Sequence, residues 1–330
     1  MTRTSGHSPT GKPDVPRGPG GSGSVRPREV RSGEVRSGEV RIGTSGWRYP
    51  SWRGDFYPAG LRQRDELAYL ASQLTGVELN GSFYSLQRPS SYASWAEQTP
   101  DDFLFAVKGG RFITHMRRLA DVEAPLANFF ASGVLALGPK LGPVLWQLPA
   151  SLPFDEELLT DFFQLLPRTT EAAGELATKH DAKLAEGRTL TTPLVSAPIR
   201  HALEPRHESF HAPEVRTVLE RNEIAMVVSD SAGTWPQFDV VTSDLVYVRL
   251  HGDTELYHSG YSQAALEAWA SRIREWQRDG RDVHVYFDND ARGHAPHDAG
   301  TLLSLLGDDP GADRKSDVST FAQVRTGHPS

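Results

Sequence analysis

Between residues 40 and 306 the chain alternates short apolar runs with stretches of helical period, and this alternation limits the available folds most sharply. Val40-Arg41-Ile42-Gly43-Thr44-Ser45 has the length and content of a strand. Residues 64–74 follow with apolar side chains at 67, 70, 71 and 74, the spacing of one helix face. The pattern then repeats. Strands are expected at 77–80, 103–107, 144–148, 199–203, 224–228, 245–250 and 283–287. Helices are expected at 90–98, with serine available as its cap, and at 126–137, 155–166, 213–221, 263–278 and 298–306. A polar segment at 169–192 interrupts the series and is read as an inserted helix. Eight strands alternating with helices predict an α/β protein, a single closed (β/α)8 barrel spanning residues 39–307. The rival is a doubly wound open sheet. No Gly-x-Gly-x-x-Gly follows the first strand, which weakens its dinucleotide-binding form.

In such a barrel, ligands gather at the C-terminal ends of the strands. Those ends carry Gly43-Thr44-Ser45-Gly46-Trp47, then Glu78, Asn80 and Ser82, then Lys108, Arg111 and His115, then Gln147. They continue with Glu204-Pro205-Arg206-His207, Ser229 and Asp230, Arg249 and His251, and finally Asp288, Asn289 and Asp290. Parity gives these residues a common direction. Val77 and Leu79 alternate with Glu78 and Asn80, and Val246, Val248 and Leu250 alternate with Tyr247, Arg249 and His251. If the apolar set packs under the helices, the polar set points into the barrel mouth. Buried charges need partners, so Glu78 and Glu204 are expected to face Lys108, Arg206 or Arg249. The bland account of this cluster is a structural ion-pair network that plugs the barrel.

The cations at the mouth are the sharper clue, because the chain as a whole is acidic, with a formal net charge of −7. Lys108, Arg111, His115, Arg206, Arg249 and His251 are suited to an anion such as phosphate or carboxylate. Trp47, Tyr49, Trp52, Phe56 and Tyr57 form either an aromatic lid or the packing of a long rim loop. Glu204, His207, Asp230, His251 and Asp288 are acceptable ligands for a divalent metal, although no tight ligand pair fixes a geometry. No cofactor is otherwise expected. The absence of cysteine excludes disulfides and a thiolate nucleophile, and agrees with a cytoplasmic protein. No run approaches the roughly 18–20 apolar residues of a membrane span. Residues 1–38 are rich in Gly, Pro and Ser and repeat Glu-Val-Arg-Ser-Gly; they are expected to be disordered, without a secretory leader. Residues 308–330 are expected to be a polar tail.

Several of these motifs occur together in one known family. They are Ile42-Gly43-Thr44-Ser45-Gly46-Trp47, Val77-Glu78-Leu79-Asn80-Gly81-Ser82-Phe83-Tyr84, Val107-Lys108 with Thr114-His115, and Gln147-Leu148-Pro149. Glu204-Pro205-Arg206-His207, Asp230-Ser231, Tyr247-Val248-Arg249-Leu250-His251-Gly252 and Tyr286-Phe287-Asp288-Asn289 complete the set. The chain resembles the domain-of-unknown-function seventy-two family, also called YecE-like. The resemblance implies a TIM-barrel-like fold of bacterial, soluble type. By analogy with metal-dependent repair endonucleases of similar barrel, it also prompts a nucleic-acid reading. Phe210 stands where the family usually has tryptophan, and Asp288 where it often has asparagine.

The leading expectation is an enzyme, a hydrolase, lyase or isomerase, acting on a small anionic or phosphorylated substrate by general acid/base chemistry. Glu204 or Glu78 would carry the proton with His207 or His251 as partner. Lys108, His115, Arg206, Arg249, Asn80, Gln147, Trp47, Asp288 and Asn289 would bind substrate. The alternatives are a nucleic-acid-processing or nucleic-acid-binding protein, which the net charge disfavours, and a non-catalytic binding barrel.

Overall fold

The computed structural model describes residues 37–185 and 187–307. The proposed tails therefore lie outside the described residues, except for Ser37 and Gly38. Gly38 already donates its N–H to Gln277 O at 3.0 Å.

Eight parallel strands close into a barrel in sequence order. They are β1 (Val40–Ser45), β2 (Gly76–Leu79), β3 (Leu104–Lys108), β4 (Leu141–Gln147), β5 (His201–Glu204), β6 (Ile224–Asp230), β7 (Leu245–Leu250) and β8 (Asp282–Phe287). β8 pairs with β1 through Val283 opposite Val40 and Phe287 opposite Thr44, so no sheet edge is left open. Around the sheet run α1 (Glu66–Gln73), α2 (Gly81–Tyr84), α3 (Pro89–Glu97), α4 (Glu123–Ala131), α5 (Glu156–Leu165), α6 (Thr170–Ala177), α7 (Pro213–Arg221), α8 (Gln263–Arg278) and α9 (His294–Gly307). Among the described residues, no helix is long and apolar enough to cross a membrane.

The alternation within each strand builds two cores. Outward residues such as Val77, Leu79, Val246, Val248 and Val285 pack beneath the helices. Inward residues Ala106, Leu145, Ala202, Ala225, Val227, Leu245, Tyr247 and Tyr286 fill the interior. Two tyrosines on adjacent strands need small residues elsewhere around the ring. Gly43 and Gly76, opposite one another on β1 and β2, provide some of that space. A Cβ on Gly43 would stand 2.0 Å from Gly76 O.

Two local expectations change and a third holds. The helix expected at 126–137 begins earlier and ends at Ala131. Gly133 takes φ +117°, and a Cβ there would meet Pro89 Cα at 2.4 Å; Val134–Lys140 continues as a 3-10 segment. Ser90 does not cap α3. Pro89 opens that helix and Arg88, the preceding residue, makes no side-chain cap bond, since proline supplies a helical φ and has no N–H to satisfy. The polar insertion does contain a helix, α6, which is capped by Thr169 and packs on α4. Asp155 and Ser262 cap α5 and α8 in the same way.

Candidate functional site

The polar residues at the strand ends form two layers. The lower one is centred on Arg249 of β7, whose side chain is wholly buried. Its Nη2 lies 2.8 Å from Glu78 Oε1, 2.9 Å from Asp288 Oδ2 and 3.0 Å from Ser45 Oγ. Nε donates to Glu78 Oε2 at 3.0 Å, and Nη1 donates to Glu204 Oε2 at 2.9 Å. Glu78 also accepts from the Tyr247 hydroxyl at 2.7 Å and from Ser45, whose Oγ in turn accepts from Asn80 at 3.1 Å. Glu204 accepts from Gln147 at 2.8 Å and from Arg206 at 3.2 Å. His251 stands in the same layer, with Nδ1 3.0 Å from Asp288 and Nε2 3.3 Å from Arg249 Nη1.

The network draws its side chains from β1, β2, β4, β5 and β7 and from Asp288 just after β8, so no local sequence motif encodes it. Burial alone would raise the Glu204 carboxyl, but Arg249, Arg206 and His251 outweigh it and hold the group well below the usual range. Asp288 is depressed for the same reason, with burial overcome by Arg249 and His251.

Above that floor opens a cavity of about 660 Å³. One side carries Lys108, Arg111, His115 and Arg206; Asn80, Phe83, Tyr84 and Gln147 continue the wall, and Tyr49, Tyr257, Asp288 and Asp290 complete it. Lys108 ends β3 and is 8% exposed, with its Nζ 4.6 Å from the Phe83 ring. Burial, and then the nearby Arg249 cation, push its ammonium down to about 8. His115 is oriented by Thr114, whose Oγ1 lies 2.9 Å from its Nδ1, and by edge contact with Phe83. Burial, Lys108, Arg206 and Arg111 all lower its affinity for a proton, so the imidazole is neutral at pH 7. Asp290 moves the other way: burial and the charge of Asp288 push it up to about 6. Arg206 lies with its guanidinium 4.6 Å over the Trp235 ring.

Of the residues expected to bind substrate, Lys108, His115, Arg206, Asn80, Gln147 and Asp288 line the cavity. Glu78, Glu204, Arg249 and His251 form the floor, where the two glutamates are saturated with donors and poorly placed to exchange protons with a ligand. Four expected residues point elsewhere. Trp47 is buried edge-on against Trp95, and its carbonyl accepts from Tyr57. His207 turns back to Ser209, accepting from its N–H at 3.1 Å and capping the following turn. Asn289 is buried and ties Ser259 O to Asp298. Asp230 faces the Tyr261 hydroxyl at 3.2 Å.

The five expected metal ligands do not fit a metal. Asp230 and His207 diverge from the rest, and the cation between Glu204 and Asp288 is Arg249. Among the described residues, no group of three or more His, Cys, Asp or Glu is arranged to hold a metal ion. The aromatic segment after β1 is packing rather than lid: Trp52 and Tyr57 are fully buried and pack in tilted and edge-on contacts with Tyr49 and Phe56. Only Tyr49 of that group reaches the cavity. Tyr257, from the loop after β7, had no signal in the sequence. Its φ of +63° and its N–H bond to His251 O fold it over the mouth. A larger hollow of about 830 Å³ opens at the opposite end of the barrel. Its arginines are already engaged, Arg200 with Asp282 and Arg168 with Asn222 O, so the mouth is the better candidate.

The fold and this polar mouth define a (β/α)8 barrel protein with a small-molecule-sized, charged cavity at the end where such barrels place their ligands. The chain belongs to the family described as "Protein of unknown function DUF72", whose model matches residues 41–319. It is 24% identical over 236 residues to the UPF0759 protein YecE of Escherichia coli (strain K12), covering 70% of this chain and 80% of that one. To the UPF0759 protein YunF of Bacillus subtilis (strain 168) it is 25% identical over 280 residues, 76% of this chain and 89% of the relative. The fold is shared with the crystal structure of a DUF72 family protein (TM1631) from Thermotoga maritima. That match has a TM-score of 0.64 at 24% identity over 81% of this chain and 99% of that one.

Proposed function

We propose that this protein is an enzyme that binds a small phosphorylated or carboxylated molecule in the mouth cavity and moves protons on it. The carrying observation is Lys108, a buried ammonium whose carboxylate neighbours are committed elsewhere. Glu78 and Asp288 are taken by Arg249, and Glu204 by Arg249 and Arg206. A buried cation without its own counter-ion is costly, and an anionic ligand relieves that cost. Lys108, Arg111 and Arg206 hold the anion. His115, neutral at pH 7, and Asp290, pushed up to about 6, are the acid/base pair, because the imidazole is free to accept a proton and the raised carboxyl keeps one far closer to neutrality than an ordinary carboxyl does. Glu78, Glu204 and His251 hold Arg249 in place beneath them. The nucleic-acid reading has less support, since the net charge of −7 offers no broad basic surface.

The test is a thermal-shift and calorimetric screen of sugar phosphates, carboxylates and uncharged sugars. Binding confined to anions, and weakened at least tenfold by Arg111→Ala or Arg206→Ala, supports the reading. Equal binding of uncharged sugars, or an unchanged affinity in both variants, refutes it.

A further inference from the structure

Among the described residues two lysines are buried, and they differ in kind. Lys140 is fixed by carbonyls, with Nζ 2.6 Å from Ala96 O and 2.7 Å from Thr99 O, and is structural. Lys108 makes no such bonds. Its amine lies against the face of Phe83, at the wall of a cavity open to solvent, with the fixed Arg249 cation in the floor beneath. Desolvation and an adjacent cation are the two devices that make a lysine amine nucleophilic near neutral pH. An anion-holding wall beside it, Arg111 and Arg206, would aim the uncharged end of a ligand at the amine.

We propose that Lys108 is a covalent nucleophile that forms an iminium with the carbonyl carbon of a small anionic aldehyde or ketone. This rests on the anion-binding reading of the mouth and names the substrate class. The Nζ lone pair forms the new C–N bond while the C=O π pair moves to oxygen. That oxygen then leaves as water, carrying the two protons the ammonium gives up, which His115 and Asp290 relay. Ammonium plus carbonyl thus becomes iminium plus water, and no oxidant or further reactant is consumed. The iminium draws electrons from the neighbouring carbon, so a C–H or C–C bond there is weakened and His115 is placed to take the proton released.

The experiment traps the iminium. The full chain is incubated with dihydroxyacetone phosphate and sodium cyanoborohydride, in parallel with pyruvate, and analysed by intact mass and peptide mapping. One adduct per chain is expected, on Lys108, forming at least tenfold faster than at exposed lysines such as Lys179 and Lys183. Its rate should rise with pH and level off just above pH 8, where a free lysine amine would still be rising. Lys108→Arg, which keeps the charge, and Lys108→Gln should both abolish the adduct while each variant retains a cooperative melting transition. Adducts spread over surface lysines at similar rates overturn the proposal. Glycerol 3-phosphate, which has the phosphate but no carbonyl, separates the two readings. If it binds and competes with phosphate while no carbonyl compound is trapped, the covalent role fails and the anion site stands. If no anion binds at all, both fail.

Discussion

Arg249 and Glu78, 171 residues apart in sequence, meet inside the barrel through paired hydrogen bonds of 2.8 and 3.0 Å, both side chains fully buried. The same guanidinium reaches Glu204 and Asp288, so one cation compensates carboxylates from three other strand ends. Removing it strands them. Arg249→Met is expected to lower stability by about 3–5 kcal/mol, the range for breaking a buried ion pair from one side. Urea unfolding measures this as a lower midpoint at unchanged slope. A second change, Glu78→Gln, should recover part of the loss, and a shift below about 1 kcal/mol would show the network to be solvated.

His201 gives the folded protein a pH dependence that starts well above the carboxylate range. Its Nε2–H donates to Pro167 O at 2.8 Å, and its Nδ1 accepts from Trp146 Nε1 at 3.2 Å. A second proton would face the indole N–H, and burial pushes the group down to about 3 from 6.5. Between those values the unfolded chain binds the proton and the folded one does not. Stability therefore falls as pH drops from 6.5 to 3, by about 1.4 kcal/mol per pH unit at most. His284, likewise pushed down to about 3 by burial and the nearby Arg200 and Arg41, adds a similar slope. His201→Gln should remove about half of that combined dependence in urea titrations between pH 6 and 4. An identical slope in the variant would rule the histidine out as its source.

Two glycines should respond oppositely to alanine. Gly43→Ala places a methyl 2.0 Å from Gly76 O, across the ladder that joins β1 to β2. The strands must separate, and a loss of about 1–3 kcal/mol or more is expected. Gly300, inside α9, has open space around its missing Cβ. Alanine there should stabilise by roughly 0.5–1 kcal/mol through its better helix propensity. Melting curves of the two variants decide both signs.

Lys108 should limit the stability of the free protein. Its proton affinity is pushed down to about 8 from 10.5, so at neutral pH the folded state carries the cost of the ammonium, and stability rises as pH climbs from about 8 toward 10.5. Lys108→Met removes that cost. The variant should melt higher, by roughly 2–4 °C for each kcal/mol relieved, while losing anion binding. A lower melting temperature would mean that the ammonium is already neutralised inside the protein.

The barrel was legible because each strand states its own parity. Val77 and Leu79 against Glu78, or Val246 and Val248 against Tyr247 and Arg249, separate outside from inside without tertiary knowledge. Boundaries shifted where one residue overrode the pattern, as Gly133 does after α4. The mouth was legible in residue type but not in pairing. Arg249 joins β7 to β2, β5 and the end of β8 across the barrel, and no local spacing encodes that. Lys108 therefore read as one cation among six, although the pairing of Arg206, Arg249 and His251 with carboxylates is what sets it apart from them. Trp47 and His207 went astray because other groups claim their side chains, Trp95 packing against the indole and Ser209 holding the imidazole at the turn.

Arg249, Glu78 and Tyr247 work as a bulkhead. Below them the interior is committed to holding the sheet closed; above them Arg111 and His115, on the helical turn after β3, and Tyr257, on the loop after β7, carry no part of the ladder. Such a division lets a chain retool its chemistry by exchanging rim residues while its structural frame is left alone. The same bulkhead forbids the reverse trade: any ligand that needs greater depth must first dismantle the charges that keep the barrel shut.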